Sequence, residues 1–418
     1  MHRSFRSALV AAALIGFAPA AFATNGYFSH GYGTKQKGMA GAGVSMPLNA
    51  LGSATNPATL AFVGKRYEIG IGAFNPNRDY TVTGNPSGFP GTFGLTPGTV
   101  ESESTWFPIP HFGANWMVND NMTFGVALYG NGGMNTDYPT NTFYGTSPTG
   151  QNLSQLFVAP TLAFKLNDRN SIGVTPVLAY QMFKIEGLQA FGLFSSDPTN
   201  LTNNDTSSSL GGGIRIGYYG EWSRYLSVGA SYQTKMWMGE FDDYAGLFAE
   251  QGDFDIPASW TAGIAIKPTE KLTIALDVQQ TLYSDVSSVG NPMLPNLVQG
   301  PLGSDNGAGF GWEDVTTFKG GLELKTAGDW AWRAGYSYGE QPIPESEVLF
   351  NILAPGVIEQ HLTFGFSKIF SGKEITVAVS RALSKDVTGP NPLEVPGRQS
   401  IELRMDEWDF EVSFAWGF

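Results

Sequence analysis

The stretch WDFEVSFAWGF, residues 408–418, alternates between two kinds of side chain. Even-numbered positions carry large apolar residues from Trp408 to Phe418, and odd-numbered positions carry acidic or small ones. A period of two residues predicts a β-strand with one apolar face. A strand of a soluble sandwich would alternate in the same way, but a strand that ends on an aromatic carboxyl terminus is typical of outer-membrane barrels.

The same alternation recurs along the chain. Clear examples are KLTIALDVQQ (271–280), WAWRAGYSYG (330–339) and HLTFGFSK (361–368), whose polar faces are small or charged. Their apolar faces are rich in aromatic residues, which predicts lipid outside, a polar lumen inside and aromatic girdles. Fourteen such segments are predicted, at residues 65–75, 104–118, 121–131, 151–167, 170–187, 207–220, 225–241, 257–268, 271–285, 314–326, 330–343, 360–370, 373–384 and 398–418.

The connections between these segments alternate in length. Short turns such as VNDN, LNDRN and SGK alternate with long, partly apolar loops. Bacterial outer-membrane barrels have this arrangement, with both termini in the periplasm. Because lipid offers no hydrogen bonds, such a sheet must close on itself. We therefore predict an all-β fold, a 14-stranded antiparallel transmembrane β-barrel in the outer membrane of a Gram-negative cell.

The composition suits this class of protein. The chain has 53 Gly, 29 Phe, 16 Tyr and 10 Trp, and only 15% of its residues are charged. It has no cysteine, so no disulfide holds an exported form together. Its net charge of −13 argues against nucleic-acid binding and against a polybasic membrane-binding surface.

The first residues read as a signal peptide. Arg3 and Arg6 precede a short apolar run that ends in the small-residue pattern AFA, residues 21–23. We predict a signal peptide over 1–23 and cleavage before Thr24. Residues 24–64 do not alternate and are predicted to form an N-terminal hatch that plugs the barrel, which occupies 65–418. The mature chain has no later apolar run long enough for a transmembrane helix.

One predicted strand changes phase. In SIELRMDEWDF, residues 400–410, the apolar positions are odd up to Met405 and even from Trp408. Two explanations stay open: a β-bulge in this strand, or an upper half that stands above the membrane.

Two stretches carry a family resemblance. NGYFSHGYGTKQKGMAGAGVS (25–45) with ALGSATNPATLAFVG (50–64), and GDFDIPASWTAGIAIKPTEKLTIALDVQ (252–279), resemble the FadL/TodX family. These are outer-membrane transporters of long-chain fatty acids and other hydrophobic compounds. The resemblance extends over the mature chain, and its most specific element is Asn56-Pro57-Ala58.

The resemblance implies a mechanism in which the hatch gates lateral diffusion of the ligand through the barrel wall. Asn56, Pro57 and Ala58 are the predicted gating residues. Pro57 restricts Asn56 to extended conformations, so we expect Asn56 to face a gap in the wall and to bond a strand whose pairing is broken. The gap is expected at a kink in the third strand, for which the candidates are Gly125, Gly130, Gly132 and Gly133; the last three would equally suit the start of a loop.

Ligand-binding candidates follow from the inward phase of the strands. Arg215, Lys235 and Lys319 are predicted to hold a ligand carboxylate, although each could instead pair with an acid in the lumen. The apolar lining is predicted to include hatch residues Phe28, Tyr32, Leu60 and Phe62, which would also serve the packing of the hatch.

The sequence shows no catalytic motif, metal-ligand pair or phosphate loop, so no enzyme activity, metal or cofactor is predicted. The predicted partners are a hydrophobic ligand, outer-membrane lipid and lipopolysaccharide, and the barrel-assembly machinery through Phe418, with the protein a monomer. Fatty acids and aromatic or aliphatic hydrocarbons are both open as ligands. A general porin or an adhesin-type barrel are the alternative functions.

Overall fold

The computed structural model describes residues 25–417, so the predicted signal peptide and Phe418 lie outside the described residues. Within them, fourteen long antiparallel strands form one closed sheet, which confirms the predicted fold class. In chain order, β1 to β14 are Arg66–Thr83, Phe107–Asn119, Met122–Asp137, Gly150–Asn167, Asn170–Glu186, Ser207–Ser223, Leu226–Gln233, Ser259–Ile266, Leu272–Thr281, Val315–Thr326, Trp330–Gly339, Gln360–Phe370, Lys373–Pro390 and Ser400–Gly417.

Each strand pairs with its neighbours in the sequence, and the last strand pairs with the first. The β1–β14 register runs without interruption from Arg66 opposite Gly417 to Thr83 opposite Ser400. Two short strands, Gly98–Glu101 and Trp237–Met238, add to the long-loop end of β1 and β6. Closure gives every one of the fourteen strands a neighbour on both sides, so the ring has no edge strand. None of the helices in residues 25–417 is long and apolar enough to cross a membrane.

The outer face of the wall is apolar in a band and polar above it. On β1, Ile69 and Ile71 are half exposed and point outward, whereas outward positions from Asn75 onward are polar. On β14 the apolar residues from Ile401 to Met405 face inward and Trp408 faces outward, with no break in the strand. The change of phase is therefore not a bulge in β14. It marks the level at which the wall leaves the lipid and its apolar side chains turn toward the interior.

Short turns and long loops lie at opposite ends of the barrel. The long loops, between residues 84 and 399, hold most of the helical turns. The α-helical turns of the structure are Thr34–Lys37, Ala249–Gly252, Ser287–Gly290, Asn296–Gln299 and Val348–Asn351. The 3-10 turns are Gly52–Ala54, Pro57–Phe62, Gln189–Phe194, Pro198–Asn200, Asp242–Tyr244, Tyr283–Asp285 and Glu345–Glu347.

Residues 25–65, called the N-terminal segment below, lie inside the barrel and are almost entirely buried. The segment can approach the wall closely because many facing wall positions are glycines. A β-carbon at Gly217 would come 2.0 Å from the Asn56 side chain, and one at Gly173 would come 2.4 Å from the Pro57 backbone. Other wall glycines with contacts of this kind are Gly113, Gly229, Gly321 and Gly335. The inward glycines therefore mark the surface on which the segment rests.

Candidate ligand-binding sites and gate

Ion pairs hold one side of the N-terminal segment to the last strands. The ammonium group of Lys37 lies 2.6 Å from Asp409 and 2.8 Å from Glu411, and all three side chains are buried. Lys35 lies 2.9 Å from Glu374 on β13. These charges are stabilised only while the partners stay together, because a lone buried charge is strongly unfavourable.

Backbone hydrogen bonds hold the other side of the segment. The buried carboxylate of Asp277, on β9, accepts from the backbone N–H groups of Gly43 (2.7 Å) and Val44 (2.9 Å). Thus the segment is fixed to two separate parts of the wall, to β13 and β14 by ion pairs and to β9 by hydrogen bonds.

The predicted gating residues Asn56, Pro57 and Ala58 lie against β5 and β6. The Asn56 amide donates to the backbone oxygens of Val44 and Tyr218, both at 2.8 Å. Its side-chain oxygen accepts from Ala58 N and caps the turn Pro57–Phe62. Tyr218 is paired with residues on both neighbouring strands. The prediction that Asn56 bonds a wall strand whose pairing is broken is therefore wrong. The bend of the third strand is instead contacted by an earlier part of the N-terminal segment.

A different interruption lies close to Pro57. On the strand that carries Gly173, Pro176 stands opposite Pro160 of β4, and regular pairing lapses between Val158 and Leu162. Proline has no N–H, so an opposed pair of prolines removes ladder hydrogen bonds from both strands. The sheet is therefore weaker here than along neighbouring strand pairs.

The third strand, β3, bends inward at its glycines. Its register with β4 shifts between Gly130 and Gly133. In this stretch Ser29 N donates to Asn131 O (3.1 Å), and Gly133 N donates to Tyr27 O (3.0 Å). Gly132 needs to be glycine, because a β-carbon there would lie 1.8 Å from Tyr27 O. At Gly125, by contrast, β3 is paired on both sides, and its missing side chain makes room for Leu60.

This bend leaves part of the wall without pairing. Between β2 and β3 the ladder ends at Phe112 opposite Leu128, so residues 107–111 of β2 have no partner on β3. That stretch contains Pro108 and Pro110, and proline is tolerated where a strand lacks a neighbour. The backbones of β2 and β3 can thus separate on the long-loop side of Leu128.

Below the bend, a small inner cavity lies between the N-terminal segment and the wall. Four of the predicted ligand residues line it: Phe28, Tyr32, Arg215 and Lys319. Both cations already have neutral partners. Arg215 donates to Ser53 O (2.9 Å), to Tyr129 and to Gln233, and Lys319 donates to His30 O at 2.9 Å.

The other predicted ligand residues lie elsewhere. β7 ends at Gln233, because the Thr234 hydroxyl replaces ladder bonds, so Lys235 lies in a loop and not in the lumen. There Lys235 forms an ion pair of 2.7 Å with Asp255. Burial and the neighbouring Asp255 raise the pKa of Asp253. Leu60 and Phe62 pack in a separate cluster with Ala163.

A second small cavity lies among the long loops and is called the outer cavity below. Its lining contains no charged side chain; most of it is aromatic or aliphatic, with contributions from Phe143, Gln151, Phe183, Ile185, Leu188, Phe191, Leu247, Phe248, Ser288, Leu302, Ala308, Gly309, Phe310, Phe350 and Leu353. Sequence reasoning recognised that these loops are apolar but named none of these residues. These residues lie far apart in the sequence, so the sequence does not reveal that they form one cluster. Six phenylalanines in the loops and at the barrel rim could nevertheless have indicated an aromatic site there.

The closed barrel, the occupied lumen and the apolar cavity among the loops define an outer-membrane transport barrel with an internal plug. Comparison with known sequence families identifies the class of transport barrel more closely. The chain belongs to the family described as outer membrane protein transport protein (OMPP1/FadL/TodX), whose profile matches residues 10–388. Members of this family are outer-membrane transporters of hydrophobic compounds. No curated protein matches the chain.

Solved structures share the fold. The toluene transporter TodX of P. putida is 19% identical with a TM-score of 0.69, over 93% of this chain and 99% of that chain. A FadL homologue of Pseudomonas aeruginosa is 18% identical with a TM-score of 0.70, over 94% and 100%. The toluene transporter TbuX of Ralstonia pickettii is 16% identical with a TM-score of 0.64, over 93% and 99%.

Proposed function

We propose that this protein takes up hydrophobic molecules, either long-chain fatty acids or aromatic and aliphatic hydrocarbons, through the outer membrane. The observation that carries the proposal is the outer cavity, which offers an uncharged, aromatic-lined site at the long-loop end of a plugged barrel. A water-filled route would not hold such a ligand, and each methylene kept out of water contributes about 0.8 kcal/mol. Structural relatives named as toluene transporters and as a FadL homologue support both ligand classes.

The proposed route runs from the outer cavity to the inner cavity and then sideways through the wall. Residues 24–64 act as the hatch and 65–418 as the barrel. Movement of the hatch, with Asn56, Pro57 and Ala58 at its contact with β5 and β6, opens the route. The unpaired stretch between β2 and β3, beside Gly130, Gly132 and Gly133, is the proposed exit into lipid.

A ligand carboxylate would be held in the inner cavity by Arg215 and Lys319, whose present partners are neutral. Lys235 contributes less, because Asp255 already compensates its charge. Phe28 and Tyr32 are the proposed apolar contacts. The ligand crosses without a chemical step. The protein acts as a monomeric barrel that is surrounded by lipid and lipopolysaccharide and is recognised by the assembly machinery through Phe418.

The outer cavity is tested with Phe350→Asp. We expect uptake of both a radiolabelled long-chain fatty acid and radiolabelled toluene to fall about tenfold, because a carboxylate buried among aromatic rings disfavours any apolar ligand. Uptake is measured in a Gram-negative host that lacks its own transporter and expresses the full chain.

Leu193→Asp is the matched control, because Leu193 is 97% exposed in the same loop layer and does not line the outer cavity. Equal uptake by the two variants would contradict the proposal. If the protein were a general porin, the wild-type chain would carry a large, steady ion current in a planar bilayer. We expect little ion current, because the N-terminal segment occupies the lumen.

The gate is tested with Asn56→Ala. The substitution removes two buried hydrogen bonds and the cap of Pro57–Phe62, each contributing on the order of 1 kcal/mol, so the segment is no longer held in register with β6. We expect a folded, membrane-inserted barrel whose uptake falls several-fold. Wild-type uptake in this variant would show that Asn56 only caps the turn Pro57–Phe62 and does not act in gating.

A further inference from the structure

One residue of the N-terminal segment differs from its neighbours in exposure. Among residues 25–46, all of which the structure describes, every residue is buried except Tyr32, which is partly exposed. Its ring packs edge to face on Tyr129 of β3, with 5.0 Å between the ring centres. Its hydroxyl donates to the side-chain oxygen of Asn131 at 2.7 Å and lies 3.2 Å from the backbone oxygen of the same residue. The side chain of Tyr32 is thus attached to the bend of β3.

Tyr32 also lies between two cavities. On one side is the inner cavity described above. On the other side is a water-sized space, called the window cavity below, whose lining from the wall includes Ile109, His111, Tyr129 and Gly130. Three residues line both cavities, Ser29, Gly31 and Tyr32, and only Tyr32 has a large side chain. Its ring is therefore the partition between the two spaces.

The window cavity lies directly behind the unpaired part of the wall. The described register pairs residues 107–111 of β2 with β1 but not with β3, and the cavity touches this stretch at Ile109 and His111. Pro110 stands opposite Ile71, which is half exposed on the apolar outer band, so the gap lies at the level of lipid. The ring that bounds the window cavity therefore also stands between the inner cavity and the gap in the wall.

Turning this ring disturbs fewer contacts than moving the whole N-terminal segment. Rotation of the Tyr32 side chain breaks the hydroxyl contacts with Asn131 and the packing on Tyr129. Withdrawal of the segment would in addition break the buried ion pairs of Lys35 and Lys37. A neutral hydrogen bond contributes little net stability, whereas a buried charge that loses its partner is strongly unfavourable. The least costly way to join the two cavities is therefore a movement of this ring alone.

We propose that the Tyr32 side chain is a gate between the inner cavity and the gap between β2 and β3. With the ring on Tyr129 and the hydroxyl on Asn131, the two cavities are separate. When the ring turns away, the volume it occupied joins them, and an apolar molecule can pass toward lipid. The ion pairs of Lys37 and the hydrogen bonds of Asn56 stay in place during this step. The inference rests on the proposed function in so far as it takes this part of the wall as the exit.

Because the chain has no cysteine, a single introduced thiol can report on the inner cavity. Ser231→Cys places this thiol on β7, in the lining of the inner cavity and not of the window cavity. The full chain in lipid vesicles is exposed to N-ethylmaleimide, which is uncharged and dissolves in lipid, and mass spectrometry gives the labelling rate. We expect Tyr32→Ala to raise this rate about tenfold or more. Tyr32→Phe keeps the ring but loses the bonds to Asn131, so it should raise the rate less.

Met39→Ala, in the same Ser231→Cys background, is the matched control. It removes a large buried side chain from the same segment, but Met39 packs in the cluster with Ala265 and Ala275 and lines neither cavity, so labelling should stay at the wild-type rate. Ile109→Trp, added to Tyr32→Ala, should refill the window cavity and return the rate toward the wild-type value. Heat-modified migration on gels verifies that each variant is a folded barrel.

Each outcome supports or overturns the gate. Fast labelling of Tyr32→Ala that Ile109→Trp reverses supports it. Equal labelling of Tyr32→Ala and Met39→Ala overturns it. Fast labelling that Ile109→Trp leaves unchanged also overturns it, because the reagent then reaches the thiol by another path. If the gate fails while cells that express the wild-type chain still take up labelled toluene or fatty acid, the proposed function stands; if uptake is absent as well, both fail.

Discussion

Lys37→Met is expected to lower the free energy of unfolding of the barrel by about 3–5 kcal/mol. Lys37 lies between Asp409 and Glu411 with all three side chains buried, and methionine keeps much of its volume while removing its charge. Two buried carboxylates of the last strand then remain close together without the ammonium group, and Glu411 keeps only the Thr34 hydroxyl (2.8 Å) and the His111 ring (3.7 Å) beside it. The measurement is a urea titration of the folded protein in lipid vesicles, followed by tryptophan fluorescence.

Lys184→Met is the control for this result. Lys184 pairs with Glu186 at 3.0 Å, but both side chains are more than 40% exposed, so the change should amount to less than about 1 kcal/mol. If both variants lost a similar, small amount of stability, the ion pairs would not be what fixes the N-terminal segment to the wall.

Gly132→Ala is expected to detach the first residues of the N-terminal segment from β3. The new β-carbon would lie 1.8 Å from Tyr27 O, so the two backbone hydrogen bonds that flank this position cannot form together with it. Two buried hydrogen bonds contribute roughly 2 kcal/mol or more, which raises the population of the detached state about 30-fold. The measurement is limited proteolysis with trypsin, which should cut after Lys35 or Lys37 only in the detached state.

Gly320→Ala controls for the loss of a wall glycine. A β-carbon at Gly320 would have its nearest neighbour at 3.7 Å, an ordinary contact, so cleavage should stay at the wild-type rate. Ion current through Gly132→Ala in a planar bilayer gives an independent readout, because a detached segment uncovers part of the lumen. Wild-type behaviour in both measurements would show that the contact of Tyr27 with β3 does not close the barrel.

The sequence predicted the wall well where lipid contacts it. Every segment with an apolar outer face became a strand, but β1 was predicted to end at 75 and ends at Thr83, and β13 continues from the predicted 384 to Pro390. Above the membrane the outward side chains become polar, so the periodic signal disappears although the backbone stays paired. β7 is shorter than predicted, because hydrogen bonds of the Thr234 side chain end it.

The candidate sites were predicted only in part. Inward parity correctly placed Arg215 and Lys319 toward the lumen, where they share a cavity with Phe28 and Tyr32. The alternation of inward and outward positions could not place Lys235, because this residue lies beyond the end of its strand. It also could not predict which cations would find acids.

The amino-acid sequence by itself determined the class of the fold, because strand periodicity and loop length are local patterns that lipid and water impose on neighbouring residues. Only the tertiary structure decided the partners inside the barrel. Lys37 and Asp409 are 372 residues apart, and they meet because β14 closes on β1 and brings the chain's last strand beside its first buried turn. Ring closure and strand stagger set such encounters, and no single strand encodes them.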